Sequence, residues 1–236
     1  MNRFRSLLSR CAGACALAAL AGGLVQAVSA ATQEVVVPVT IVGDSKGAAP
    51  MQTAVLAGGC FWGVEGVFEH VKGVRKVVSG YAGGAARDAD YDVVSSGRTG
   101  HAESVQVTFD PRQISYGEIL RVFFSVAHDP TQLNRQGPDT GTQYRSAIFY
   151  ADEAQKEVAT RYIAQLEQSG RYRGRIVTRV DPLAGFYPAE PYHQDFIEQN
   201  PRNPYVVIND MPKLRELRQL YPSLYRESTT SGRAEK

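Results

Sequence analysis

Between residues 53 and 180 short apolar runs of two periods alternate, and few folds accommodate that alternation. Residues 53–57 form a short apolar strand. Gly58 and Gly59 then turn the chain into a helix over 62–71, where Val64, Val67, Phe68 and Val71 share one face. A second strand is expected at 74–80. Over 104–110 the pattern is strictly two-fold, with Val105, Val107 and Phe109 on one side and polar groups on the other, which marks a half-buried strand. Ser115-Tyr116-Gly117-Glu118 is a capping box, and it opens a helix with Ile119, Leu120, Phe123 and Ala127 on one side. Another strand follows at 145–150. Asp152, with Gln155 three residues on, starts a helix that runs to about 168 and stops at Gly170. A last alternating strand lies at 175–180. The order is β-α-β-β-α-β-α-β. Its first six elements match the ferredoxin-like split βαβ pattern, so the expected fold is α+β: a two-layer sandwich of helices on a mainly antiparallel sheet. From about Asp181-Pro182 the chain turns aromatic and proline-rich, and a long ordered C-terminal coil over the sheet is expected there.

The two ends fall outside this pattern. Arg3, Arg5 and Arg10 precede an apolar run from Ala12 to Val28, and Val28-Ser29-Ala30 supplies small residues before Ala31. Residues 1–30 therefore read as a cleaved export signal, which places the mature protein in the periplasm or outside the cell. The competing reading is a membrane anchor, but Gly13, Gly22, Gly23 and Gln26 make the run weakly hydrophobic for a spanning helix. Residues 31–50 read as a linker with a short strand at 35–42, residues 51–225 as one catalytic domain, and 226–236 as a flexible polar tail. Without residues 1–30 the formal charge falls from +2 to −1. So balanced a body gives no electrostatic case for nucleic acid or an anionic surface. Nothing in the pattern calls for more than a monomer.

Of the three cysteines, Cys11 and Cys15 lie in the export signal, leaving Cys60 alone in the mature chain. A single thiol makes no internal disulfide and no multi-thiolate zinc site. Its place after Gly58-Gly59, at the start of a helix, puts free backbone N–H groups near the sulfur, where they favour a thiolate. The plainer alternative is a packing cysteine at a strand end. Phe61 and Trp62, the only tryptophan, either wall a small apolar pocket beside the thiol or belong to the core. Glu103, at the mouth of the alternating strand, is either a carboxyl held protonated by apolar surroundings, and so a general acid, or an ordinary surface residue. His101 is a base, a cap or an exposed side chain, with the structural role favoured. The polar stretch 128–146 is long for a connection and is a candidate binding loop.

Four motifs in order carry a family resemblance: Gly59-Cys60-Phe61-Trp62-Gly63, Gly80-Tyr81-Ala82-Gly83-Gly84, Gly100-His101-Ala102-Glu103, and His128-Asp129-Pro130-Thr131 through Gly141-Thr142-Gln143-Tyr144-Arg145-Ser146. Together they resemble the peptide methionine sulfoxide reductases of the A class, over about 51–210. The resemblance implies reduction of methionine-(S)-sulfoxide, free or in proteins, for repair after oxidative stress. It implies that Cys60 attacks the sulfoxide sulfur and becomes a sulfenic acid, and that Glu103 supplies a proton to the oxygen. Tyr91 and Tyr144 resemble the phenols that hydrogen-bond that oxygen. Phe61 and Trp62 resemble the cage for the substrate methyl group, and Asp139 resembles a polar substrate contact. No metal and no organic cofactor is implied.

One departure from the family matters. Many relatives carry further cysteines in the C-terminal region that resolve the sulfenic acid, and this chain has none after Cys60, while Ser95 stands where some have a non-catalytic cysteine. Recovery of Cys60 is therefore expected to need an external thiol or a thioredoxin-like protein. The rival enzyme reading is a cysteine acyl hydrolase, with His101, His128 or His193 as the base. The non-enzymatic rival is a domain that only binds oxidised methionine.

Overall fold

The protein is described by a computed structural model covering residues 50–227. The expected export signal, the linker up to residue 49, the strand at 35–42 and the tail beyond residue 227 lie outside the described residues. The elements are β1 (Gln52–Gly58), α1 (Phe61–Glu69), β2 (Val74–Ala82), α2 (Tyr91–Val94), β3 (Ala102–Phe109), α3 (Tyr116–Val122), β4 (Arg135–Gln136), β5 (Asp139–Thr140), β6 (Ser146–Tyr150), α4 (Glu153–Gln168), β7 (Arg179–Pro182), β8 (Phe186–Pro188), α5 (Phe196–Gln199) and α6 (Met211–Leu220). Six strands form one mixed sheet in the order β7-β6-β1-β3-β2-β8, while β4 and β5 pair as a separate hairpin. Among the described residues no helix is long and apolar enough to cross a membrane.

The sheet is covered on both faces, and β1 shows why its sequence is continuously apolar. Ala54 and Leu56 pack into the main core with Val64, Val67 and Phe68 of α1, Ile119 and Leu120 of α3, and Tyr162 and Leu166 of α4. Val55 and Ala57 face the other way, into a smaller cluster with Ala82, Ala102, Ala147 and Phe149, capped by Leu183 and Phe186. On β3 the two-fold period sends Val105, Val107 and Phe109 to the helix side. The same period places Glu103 on that side too, because β3 starts one residue before it. Both expected helix starts are present. Ser115 and Glu118 exchange the two bonds of a capping box, and Asp152 accepts from the Gln155 N–H at 2.8 Å.

The C-terminal region departs from expectation. The strand expected at 175–180 is Arg179–Pro182, pairing in parallel with β6, and the stretch after it is more than coil. Three-residue β8 pairs with β2 on the opposite edge, where Pro188 is tolerated. The ten-residue helix α6 buries Leu214 and Leu217, an i, i+3 pair that the surrounding prolines and aromatics obscure in the sequence. Arg226, expected in the loose tail, donates from Nε to the Glu69 carbonyl at 2.9 Å.

Two buried acids of α1, Glu65 and Glu69, meet Asp195, which precedes α5. Donor oxygens of Glu65, Glu69 and Asp195 lie within 4.8 Å of one another. Glu65 is 1% exposed. Burial pushes Glu65 up to about 8, and burial together with Glu65 pushes Glu69 up to about 9. These acids keep protons in the fold that the unfolded chain releases near its usual carboxylate range. Their contribution to stability is therefore lost as pH rises from about 4.5 toward 9. Glu69→Gln is expected to raise the unfolding free energy at pH 8 by about 1–3 kcal/mol, with a smaller gain at pH 5, read by denaturant unfolding. A variant less stable than the parent at pH 8 would show instead that the carboxylate is ionised and satisfied.

Candidate active site

Cys60 stands where β1 hands over to α1. Gly59 before it adopts φ +96°, and a Cβ there would lie 2.5 Å from Gln136 Cβ and Cγ, so the turn needs glycine both for its backbone and for its space. Cys60 is the N-cap residue of α1, with its side chain free of capping duty. The first amide of the helix, Phe61 N–H, donates to Glu103 Oε2 at 3.1 Å. Glu103 is 2% exposed. The alternation of β3 thus points its carboxyl at the helix N-terminus that carries the thiol.

The remaining residues gather around this pair. Burial raises the phenols of Tyr91 and Tyr144 above their ordinary range, and for both Glu103 is the next cause, with Cys60 and Asp139 adding to it. Asp139, brought in by the β4–β5 hairpin, accepts a hydrogen bond from the Tyr205 hydroxyl. A cavity of about 70 Å³ is lined by Cys60, Pro138, Asp139, Tyr205, Asn209 and Lys213. Phe61 is buried between Tyr81 and His193, at ring distances of 6.0 and 5.0 Å, so it is core as well as site. Trp62 stacks on Phe196 at 3.6 Å and meets Tyr205 edge-on at 5.8 Å. The structure therefore brings together all seven residues singled out in the sequence: Cys60, Phe61, Trp62, Tyr91, Glu103, Asp139 and Tyr144.

The electrostatics correct one expectation. The helix N-terminus was expected to favour the thiolate, yet the Cys60 thiol is pushed well up. Burial is the largest cause, followed by Glu103 and Asp210, and the Trp62 N–H is the opposing influence. Burial of the thiol outweighs one turn of helix. Burial also raises Glu103, to about 8, against the pull of the Phe61 N–H. At neutral pH the resting site therefore holds a thiol beside a carboxylic acid.

None of the three histidines serves the thiol. His101 is fully buried with Nε2 against the Ala85 carbonyl at 2.9 Å. His128 bonds the Phe123 carbonyl and Ser146 Oγ, and burial lowers it to about 4. His193 accepts from Trp62 Nε1 at 3.1 Å. Among the described residues no hydrogen bond joins any of these three histidines to Cys60. The sequence reading did not single out Tyr205, Asp210 and Glu190 as parts of the site. Each acts through contacts with segments far away in the chain, and no local pattern marks them.

The motif resemblance and this geometry agree with a comparison against known families, in which the model for peptide methionine sulfoxide reductase matches residues 52–224. The chain belongs to the peptide methionine sulfoxide reductase family. It is 59% identical over 184 residues to peptide methionine sulfoxide reductase MsrA 2 of Mesorhizobium japonicum, covering 78% of this chain and 94% of that one. It is 56% identical to the protein of the same name in Synechocystis, covering 72% and 79%. Among solved structures it is similar to reduced Mxr1 of Saccharomyces cerevisiae, at TM-score 0.58 and 33% identity over 70% of this chain and 94% of that one. Methionine sulfoxide reductase A of Corynebacterium diphtheriae gives 0.57 and 38%, over 67% and 79%. The chain is accordingly an oxidoreductase that returns methionine sulfoxide to methionine.

A reductase whose thiol hangs on one tight turn should be sensitive there. Gly59→Ala is expected to lower stability by about 1–3 kcal/mol and to cut turnover at least tenfold, read by denaturant unfolding and methionine release. A variant with parental stability and rate would mean that the turn tolerates a side chain and does not position Cys60.

Proposed function

We propose that Cys60 is the nucleophile and Glu103 the proton donor in reduction of the S epimer of methionine sulfoxide. The observation that carries this reading is the Glu103 carboxyl, held at the α1 N-terminus by the Phe61 N–H and raised to about 8, next to the thiol. The Cys60 sulfur bonds to the sulfoxide sulfur as Glu103 passes its proton to the oxygen, and the thiol proton returns to the Glu103 carboxylate. The sulfur–sulfur bond and the sulfur–oxygen bond of the sulfoxide then break and the hydroxyl passes to the Cys60 sulfur. The sulfide leaves as methionine. The sulfoxide is reduced by two electrons and Cys60 is oxidised to a sulfenic acid. Tyr91 and Tyr144, neutral phenols with raised pKa, steady the oxygen as charge develops. Trp62 and Phe61 take the methyl group, and Asp139 with Tyr205 holds the polar side of the substrate. This chemistry draws on a thiol and an acid alone.

The same reading extends to recycling and place. An external thiol or a thioredoxin-like protein attacks the sulfenic acid, releases water and leaves a mixed disulfide on Cys60, which a second thiol resolves. This follows from Cys60 being the only cysteine after residue 15. Export by residues 1–30 places the monomeric enzyme in the periplasm or outside the cell, where exposed methionines are oxidised. The strand order β6-β1-β3-β2, antiparallel at each step, supports a split βαβ core beneath the site.

The test is a single turnover with the separated epimers and no reductant. One methionine per chain is expected from the S epimer, none from the R epimer or from Cys60→Ser, together with a sulfenic acid that dimedone traps. Two methionines per chain, or a Cys60 that resists dimedone after turnover, would contradict the reading.

A further inference from the structure

The turn Glu190-Pro191-Tyr192-His193 touches two separate parts of the site. His193, 2% exposed, accepts a hydrogen bond at Nδ1 from Trp62 Nε1 at 3.1 Å. Its ring lies 5.0 Å from Phe61, 4.4 Å from Tyr91 and 5.8 Å from Trp62. Three residues earlier, Glu190 accepts from the Tyr91 N–H at 3.0 Å and from the Tyr81 hydroxyl at 2.8 Å. One short turn therefore holds the indole by its only polar atom and the start of α2, which carries Tyr91.

From this geometry we infer that His193 is a positioning residue for the reductase. Its neutral imidazole fixes the Trp62 indole as the wall of the substrate site, and protonation of His193 releases that wall.

The argument is one of donors and acceptors. Indole N–H can only donate, so the Nδ1 that faces it must carry a lone pair, and the ring proton sits on Nε2. Nε2 has no hydrogen-bond partner and lies 3.9 Å from Glu190 Oε2. A second proton goes on Nδ1, where it meets the indole N–H donor to donor. The bond is then lost, and the imidazolium is drawn toward Glu190. The titratable groups facing His193 are Glu190 and Tyr192 from its own turn, the latter with its ring at 4.2 Å, Tyr91 from α2, and Tyr81 from β2 through Glu190, with Glu103 of β3 behind Phe61. Burial holds His193 below its ordinary range against the pull of Glu190, so the wall is intact at neutral pH and opens on acidification. The inference rests on the reading that Trp62 contacts substrate.

Trp62 is the only tryptophan in the chain, so its fluorescence reports the contact directly, without turnover. In the full-length protein the emission should titrate with a midpoint below 6.5, and KM for methionine sulfoxide should rise with the same midpoint. His193→Asn presents an amide oxygen in place of Nδ1 and does not titrate. It should keep KM within about threefold and flatten the fluorescence titration. His193→Leu removes the acceptor and should raise KM about tenfold with kcat within about threefold, the effect of one lost hydrogen bond. A flat parental emission between pH 4.5 and 7.5, or a parental KM in His193→Leu, would overturn the proposal. Trp62→Phe separates the two readings. An unchanged KM there brings down the wall itself and the proposal with it, whereas a raised KM in Trp62→Phe beside a parental KM in His193→Leu brings down the role of His193 alone.

Discussion

The hydrogen bond from the Phe61 N–H to Glu103 joins the first turn of α1 to the start of β3, beside the one thiol of the described residues. It settles which way a buried carboxyl points. It also explains how an acid comes to sit beside a thiol in an apolar interior. One backbone donor offsets part of the burial cost, but not enough to ionise the group, and Glu103 stays an acid at neutral pH. Burying the Glu103 side chain takes β3 to be covered by α1, and that takes the apolar stripe Val64, Val67 and Phe68 to seat the helix on Val105 and Val107. The pairing of Glu103 with the α1 N-terminus is thus a product of the core.

Substrate-side groups arrive from the opposite direction. The β4–β5 hairpin brings Asp139, the short helical turn after it brings Tyr144, and the C-terminal region brings His193, Phe196 and Tyr205. That last region does two jobs. It covers both edges of the sheet, through β7 and β8, and it then walls the cavity over Cys60. It supplies aromatic and polar contacts but no thiol.

What was legible in the sequence follows the range of the interactions. The period of Val105, Val107 and Phe109, the caps at Ser115 and Asp152, and the Gly58-Gly59 turn are local, and each appears in the structure within a residue or two. The motif around Cys60 and the one ending in Glu103 could be joined only through a family resemblance, because 42 residues separate the hydrogen-bonded pair. The partnership of Tyr205 with Asp139, across 66 residues, left no local signal. Nor did the edge strand β8, which is three residues long. The direction of the Cys60 shift was misread because a helix terminus is visible in sequence, whereas burial and the nearness of Asp210 and Glu103 are not.

The central claim is that Glu103 gives the proton on which sulfoxide reduction depends. It is tested most directly by the pH dependence of methionine formation in a single turnover, measured for the parent and for Glu103→Gln. The account predicts a parental rate that falls as pH rises through about 8, as Glu103 ionises. It predicts a variant slower by about a hundredfold or more that lacks this limb. A Glu103→Gln variant within tenfold of the parent, with the same fall above pH 8, would contradict it.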